Sequence, residues 1–365
     1  MMELAPSSKR LLGGVALALA LAALLANAEP VRETRAPAGA TGETDASPPD
    51  RAAVWRAIFA RPAGPKTMTD DPAKIALGYD LFRDTRLSGG GATSCASCHD
   101  PARAFTDGRR TGLGPAGAGL PRNVPSLYDL AWASSFFWDG RAETLADQAR
   151  GPILAENEMF GHFPTIADRL ERDAAMKSRF EAVFPASARI AEADIVDALA
   201  AYERSLVSPA TRFDSWVAGN DGALDGQELR GFEIFVGKGG CVSCHGGWRF
   251  TDNSFHDVGV LGADLGRGAL EGPMKGLPQF KTPSLREAVH TAPYMHDGSL
   301  ATLLDVVGHY AGGHVKRPSL APTLVTDLAL DPEEREALVA FLKTLSSERG
   351  PDAAPTETSR PVLNK

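Results

Sequence analysis

The sequence predicts an all-α protein with long loops, whose folded part is two halves related by internal duplication. Three observations predict it. The segment Cys95-Ala96-Ser97-Cys98-His99 recurs as Cys241-Val242-Ser243-Cys244-His245. Downstream, Pro-Ser-Leu, eleven residues, Asp-Gly, three residues and Thr-Leu occur twice, from Pro125 and from Pro283, at a constant offset of 158. Apolar residues elsewhere keep a helical period behind helix-start signatures, and strand-like alternation is absent.

The elements follow in chain order. Lys9 and Arg10, an apolar run from Leu11 to Leu25, and Ala26-Asn27-Ala28 form a secretory leader over 1–28 with a small-x-small cleavage site. The alternative, an uncleaved anchor, is weakened by an apolar core that is short for a bilayer. Residues 29–50 are rich in Ala, Pro, Gly, Glu and Thr without periodicity and read as a disordered stretch, as does the tail 346–365. Asp71-Pro72 opens a helix through Leu77 and Leu81, and Asp225 with Glu228 opens another through Leu229 and Phe232. Residues from Ala191 to Leu206 carry a helical period without Gly or Pro. Asp331-Pro332-Glu333-Glu334 caps a last helix through Leu338, Phe341, Leu342 and Leu345. The halves are expected at 51–210 and 211–345.

Composition narrows the function. The chain has 365 residues, 38 Lys and Arg against 46 Asp and Glu, and no dense basic tract. Nucleic acid is therefore not the expected partner, and beyond the leader no membrane segment is expected. All four cysteines lie in the two C-x-x-C-H segments. Two thiols one helical turn apart can add to the two vinyl groups of a haem, and the adjacent histidine then reaches the iron. A four-cysteine zinc site, disulfides or a thioredoxin-like pair would leave both histidines unexplained. Cys95, Cys98, Cys241 and Cys244 are thus expected to bind two c-type haems covalently, with His99 and His245 as iron ligands. Helices and long loops around haem suit cytochrome c-like domains, and an exported chain would meet haem attachment in the periplasm.

The two copies differ where it matters. Across the offset, Tyr310 pairs with Pro152. A phenol oxygen can ligate iron, whereas proline has no side-chain donor. No histidine or methionine lies between Asp100 and Trp138 to take the place of a ligand. The N-terminal haem is therefore expected to keep an open position and the C-terminal one to be six-coordinate. His309 is the competing ligand and Met295 a lesser one; His162, His256, His290 and His314 are expected at the surface or one layer behind the site.

With these residues in view, the chain over about 66–345 resembles the bacterial di-haem cytochrome c peroxidase family, in particular its MauG-type branch. The resemblance rests on both haem motifs, Phe137-Trp138-Asp139-Gly140-Arg141-Ala142, Gln148-Ala149-Arg150-Gly151-Pro152, Glu158-Met159 and Thr291-Ala292-Pro293-Tyr294-Met295-His296-Asp297-Gly298. It implies that Trp138 passes electrons between the haems and that Gln148 and Glu158 form the distal pair, with Glu158 handling the proton during peroxide cleavage. It also implies a calcium ion at Asn123, Thr291 and Pro293, and a tyrosine ligand at Tyr310.

Two departures qualify the carry-over. The distal histidine that many of these peroxidases carry before the residue matching Asn123 is missing, so reductive activation is not expected. Gly239 stands where the methylamine-metabolism members of the branch carry a tryptophan that takes the substrate's electrons. The expected activity is reduction of hydrogen peroxide, with a small cytochrome c or cupredoxin as electron donor. The alternatives are a MauG-like oxidation of residues on a partner protein and a non-catalytic di-haem electron carrier.

Overall fold

A computed structural model describes residues 51–64 and 70–348. The leader 1–28, the stretch 29–50 and the tail beyond Glu348 lie outside the described residues. The helices are α1 (Arg51–Phe59), α2 (Pro72–Arg83), α3 (Leu145–Leu154), α4 (Phe163–Glu171), α5 (Ala174–Val183), α6 (Glu192–Ser205), α7 (Arg212–Val217), α8 (Gly226–Val236), α9 (Leu303–Gly308) and α10 (Pro332–Lys343). The fold is mostly α, but not wholly: β1 (Phe255–His256) pairs antiparallel with β2 (Phe280–Lys281).

The helices start where side chains satisfy their first amides. Asp71 accepts from the Ala73 amide at 2.8 Å. Asp225 and Glu228 bond each other's amides at 2.8 and 2.9 Å, and Asp331 and Glu334 do the same at 2.8 and 3.1 Å. Asp194 accepts from the Ala191 amide at 3.1 Å and opens α6.

Two helix crossings organise the packing, and both are built on a glycine. A Cβ on Gly78 of α2 would lie 1.9 Å from the Ala198 carbonyl oxygen of α6 and 2.9 Å from Tyr202 Cβ. A Cβ on Gly231 of α8 would lie 1.9 Å from the Ala337 carbonyl oxygen of α10 and 2.8 Å from Phe341 Cβ. Around the first crossing Leu77, Leu81, Phe82, Phe105, Ile166 and Leu199 form one core; around the second Phe213, Phe232, Phe235, Phe250 and Phe341 form another. Helix α1 precedes the first haem motif, yet its Phe59 packs in the second core, stacked 4.8 Å from Phe250. The boundary expected at 210–211 therefore divides the sequence but not the packing.

The connection between the cores is clamped by polar groups. Asp129, fully buried, accepts from the Ser208 amide at 3.0 Å and its hydroxyl at 2.6 Å. Arg61 donates to the carbonyls of Ser208 and Pro209 at 2.8 and 3.0 Å. Arg286 donates to Asp214 at 2.7 Å. Past Leu345, the Ser347 amide donates to Glu287 at 3.0 Å, so the first residues of the expected tail are held.

Gly231→Ala tests the crossings. Helix propensity alone would stabilise this change by about 1 kcal/mol, but overpacking against the Ala337 carbonyl makes it destabilising by about 3 kcal/mol. Chemical denaturation reads the difference, with the same sign expected for Gly78→Ala. A stabilised variant would mean that the helices slide apart freely.

Candidate functional site

Each C-x-x-C segment is a single 3-10 turn, Cys95–Ser97 and Cys241–Ser243. The histidine that follows closes it: the His99 amide donates to the Cys95 carbonyl at 2.9 Å and the His245 amide to that of Cys241 at 2.8 Å. Both rings are then fixed alike. His99 Nδ1 lies 2.8 Å from the Phe105 carbonyl oxygen, and His245 Nδ1 lies 2.8 Å from that of Phe250. A carbonyl only accepts, so Nδ1 carries the proton and Nε2 keeps its lone pair. Burial lowers both histidine pKa values and keeps the rings neutral.

This donor set fits covalent haem. No disulfide joins the cysteines. Cys95 packs against the first core and Cys241 against the second, so the four thiols do not converge on one zinc. Burial pushes the Cys95 and Cys241 thiols up to about 12, which removes the thiolate that a redox pair would need. Cys244, Asp252 and His256 come within 4.8 Å of one another, but Cys244 belongs to the haem motif.

On the first half, α3 carries Gln148 and Pro152 one turn apart. The Gln148 side-chain oxygen is buried and has no hydrogen-bond partner. The chain then folds back: the Met159 amide donates to the Pro152 carbonyl at 3.1 Å and the Phe160 amide to that of Ala155 at 2.9 Å. This brings Glu158 beside the end of α3 and within electrostatic reach of Cys98. Burial raises the Glu158 pKa, with Arg141 opposing.

The second half begins the same way and ends differently. Thr144 and Thr302 cap α3 and α9 through the amides of Asp147 and Asp305, both at 3.1 Å. Pro152 and Tyr310 stand at the same distance in sequence behind those caps. Helix α3 runs on to Leu154, whereas α9 opens into a wide turn over His309–Gly313. Tyr310 is half-buried near Cys241 and Cys244, and desolvation raises its phenol pKa. The competitor His309 is engaged elsewhere, with Nε2 2.8 Å from the Val258 carbonyl oxygen. Met295 follows the cis Ala292-Pro293 bond in a left-handed conformation.

Trp138 and Asn123 tie the halves together. Trp138 Nε1 donates to the Asn123 carbonyl at 2.9 Å, and the Lys281 amide donates to the Trp138 carbonyl at 2.8 Å. The Asn123 amide donates to the His296 carbonyl at 2.7 Å, which sets Asn123 against the loop carrying Thr291 and Pro293. Of the remaining histidines, His162 is exposed and His256 and His290 are half-buried. His314, expected at the surface or one layer behind the site, is only 5% exposed, and its Nε2 has no partner.

Sequence reasoning passed over Glu203 and Arg249, which are buried, and Lys281, which is half-buried. Glu203 sits on the inner face of α6, 4% exposed, with one carboxyl oxygen unpartnered. Its place in the helical period, between Tyr202 and Arg204, was the only available signal.

A mostly α frame presenting two cysteine-histidine sites of this kind defines a di-haem c-type cytochrome. A di-haem cytochrome c peroxidase model matches residues 72–222 and a cytochrome c model matches 229–346. The methylamine utilization protein MauG of Methylorubrum extorquens is 43% identical over 85% of this chain and 89% of its own. The cytochrome c551 peroxidase of Nitrosomonas europaea is 34% identical over 78% and 83%. The crystal structure of a MauG-like protein associated with microbial copper homeostasis superposes with a TM-score of 0.72 at 32% identity, covering 81% of this chain and 95% of that one. The chain belongs to the di-haem cytochrome c peroxidase family, whose members carry two c-type haems. It is an oxidoreductase that acts on hydrogen peroxide.

Glu203 provides a pH test of the site's interior. Burial raises its carboxyl to about 8. The folded chain thus retains a proton that the unfolded chain releases near the ordinary carboxyl value of 4.5. Stability falls from that pH up to about 8 and then levels. Glu203→Gln removes the penalty, so its gain grows across the same window to roughly 5 kcal/mol. Denaturation between pH 5 and 9 measures it; a gain that ignores pH would mean that the buried carboxylate is already charged.

Proposed function

We propose that this protein is an exported, periplasmic di-haem peroxidase that reduces hydrogen peroxide at the His99 haem and draws electrons through the His245 haem. The observation that carries the reading is the contrast between Pro152 and Tyr310 at the same register. One half offers a phenol oxygen to the iron, the other offers no donor. Haem bound at His99 supplies an iron with a free position for peroxide and a ring system that takes up oxidising equivalents.

The chain's own residues do the rest. The Gln148 carbonyl, buried without a partner, accepts from a peroxide O–H and orients it. Glu158 takes the proton from one peroxide oxygen and returns it to the other, so that the O–O bond breaks with loss of one water. The remaining oxygen leaves as a second water once the donor has supplied two electrons and two protons have been taken up. Burial of Glu158 keeps the proton available to higher pH than on a free glutamate. Trp138, bonded through its indole to the first half and through its carbonyl to the second, is the electron relay. Asn123, Thr291 and Pro293 supply carbonyl and amide oxygens for one calcium ion that steadies this junction. The repeated caps, crossings and histidine–carbonyl bonds support descent of both halves, 51–210 and 211–345, from one ancestral unit. Among the described residues no helix is long and apolar enough to cross a membrane. The donor is a small cytochrome c or cupredoxin.

A second reading, oxidation of residues on a partner protein, is favoured by the likeness to MauG at 43% identity. Gly239 argues against the methylamine version, because its backbone packs 2.7 Å, at the Cβ position, from the Ile234 carbonyl and leaves no room for a tryptophan. The plain carrier reading needs a side-chain ligand on both irons, which Pro152 does not provide.

Stopped-flow mixing of the resting, fully oxidised holoprotein with one equivalent of peroxide tests the proposal. A fast change in the haem bands without prior reduction is expected, and a silent spectrum would overturn it. Glu158→Gln should slow that change about 100-fold or more with both haems attached. Trp138→Phe should spare peroxide binding and disrupt charge sharing between the haems. Tyr310→Phe should convert the second haem's spin state, read by electron paramagnetic resonance; an unchanged signal would return the ligand role to His309.

A further inference from the structure

Arg249 is 6% exposed, yet its Nε has no hydrogen-bond partner and its Nη1 reaches only the neutral Asn253 side chain at 3.3 Å. Lys281 is held by its Nζ on the Ser135 carbonyl and lies 5.8 Å from the centre of the Phe136 ring. Among the described residues neither cation has a carboxylate within ion-pair distance. The two repel each other: burial and Arg249 together pull Lys281 down to about 8. Asp129 is the carboxylate that Arg249 feels, but both its oxygens are engaged by Ser208. Asp139 is likewise taken, by Arg122 and Arg141.

A buried guanidinium without a counter-charge, beside a half-buried ammonium, is costly unless an anion meets them. Their location says which anion. Arg249 directly precedes Phe250, whose carbonyl fixes His245, and the Lys281 amide bonds the Trp138 carbonyl. Arg249 thus lies beside the second haem site and Lys281 beside Trp138, and each haem would bring two propionate carboxylates. We propose that Arg249 and Lys281 form a cationic cradle for haem propionate at the junction of the halves, and so position the haem edge nearest Trp138. The cradle holds the carboxylate as a forked guanidinium contact plus a point charge. Its positive charge favours the reduced haem. The inference rests on the reading of both C-x-x-C-H segments as haem sites.

The test uses the holoprotein. A pyridine haemochrome assay first counts haem per chain; fewer than two in the wild type would sink the haem reading itself, independently of the cradle. Redox titration and the propionate bands in resonance Raman spectra are then compared for Lys281→Met and Lys281→Arg. With Lys281→Met at least one haem should become tenfold harder to reduce, about 59 mV for one electron, and its propionate band should move. Lys281→Arg should restore the potential. Unchanged potentials and bands in Lys281→Met with both haems attached would overturn the cradle. A wild-type midpoint that tracks chloride or phosphate concentration would also overturn it, since a solution anion would then be the occupant. If Lys281→Met fails to accumulate, Arg249→Lys is read instead: it keeps the charge but loses the fork, so a shifted propionate band supports the cradle and a fixed one refutes it.

Discussion

The bond from a histidine Nδ1 to a phenylalanine carbonyl is the constraint on which both halves depend. It orients the imidazole, fixes its tautomer and leaves Nε2 as the only donor. To aim that carbonyl, Phe105 and Phe250 adopt left-handed backbone angles, with φ of +61° and +55°. Such a conformation costs a non-glycine residue about 1–2 kcal/mol. Burial of the ring offsets it, since each phenylalanine is essentially inaccessible and sits in the centre of its core. The same side chain thus anchors the core and turns its own carbonyl toward the histidine ring. Replacing it with glycine would keep the turn and lose the anchor.

From this bond the frame extends outward in matching steps. Ser126 and Ser284 donate to the carbonyls of Ala104 and Arg249, both at 2.7 Å, and hold the residue just before each phenylalanine. The Asp129 and Glu287 backbones are both left-handed, at φ +60° and +59°. Their side chains then diverge: Asp129 grips the connection at Ser208, whereas Glu287 grips the chain end at Ser347. One backbone geometry serves to lock two different returning segments, which is why the turn recurs although the residue does not.

Much of this was legible in sequence because it is local. The caps at Asp71, Asp225 and Asp331, the attachment turns and the register of Pro152 against Tyr310 depend on residues a few positions apart. What was hidden is long-range. Nothing near Arg51–Phe59 announces that its phenylalanine belongs to the second core, because that contact is made with residues more than 150 positions away. Gly78 and Gly231 read as ordinary helix glycines until the opposing carbonyls are known. Arg249 and Lys281 look like surface cations, since a sequence shows charge but not the lack of a counter-charge. Of the two places expected for His314, its burial beside the Gly259 backbone rules out the surface, which its sequence neighbours could not decide.

The asymmetry of the halves follows from a small change in one helix. Behind identical threonine caps, α3 keeps α-helical geometry through Pro152, and its last carbonyls are taken by the amides of Met159, Phe160 and Gly161. That return presses Glu158 against the helix end and leaves the Gln148 oxygen facing inward. In α9 the helix gives way after Gly308, and Ala311 and Gly312 leave helical angles. The wider turn swings His309 out to Val258 and carries Tyr310 in toward the cysteines. A proline is tolerated at the first position because α3 simply continues, with its ring in the final turn. At the second position a proline could not supply what the wide turn delivers, a phenol oxygen near Cys241 and Cys244. The structural difference between the halves therefore comes from a choice of helix termination, made behind the same cysteine-histidine turn on both sides.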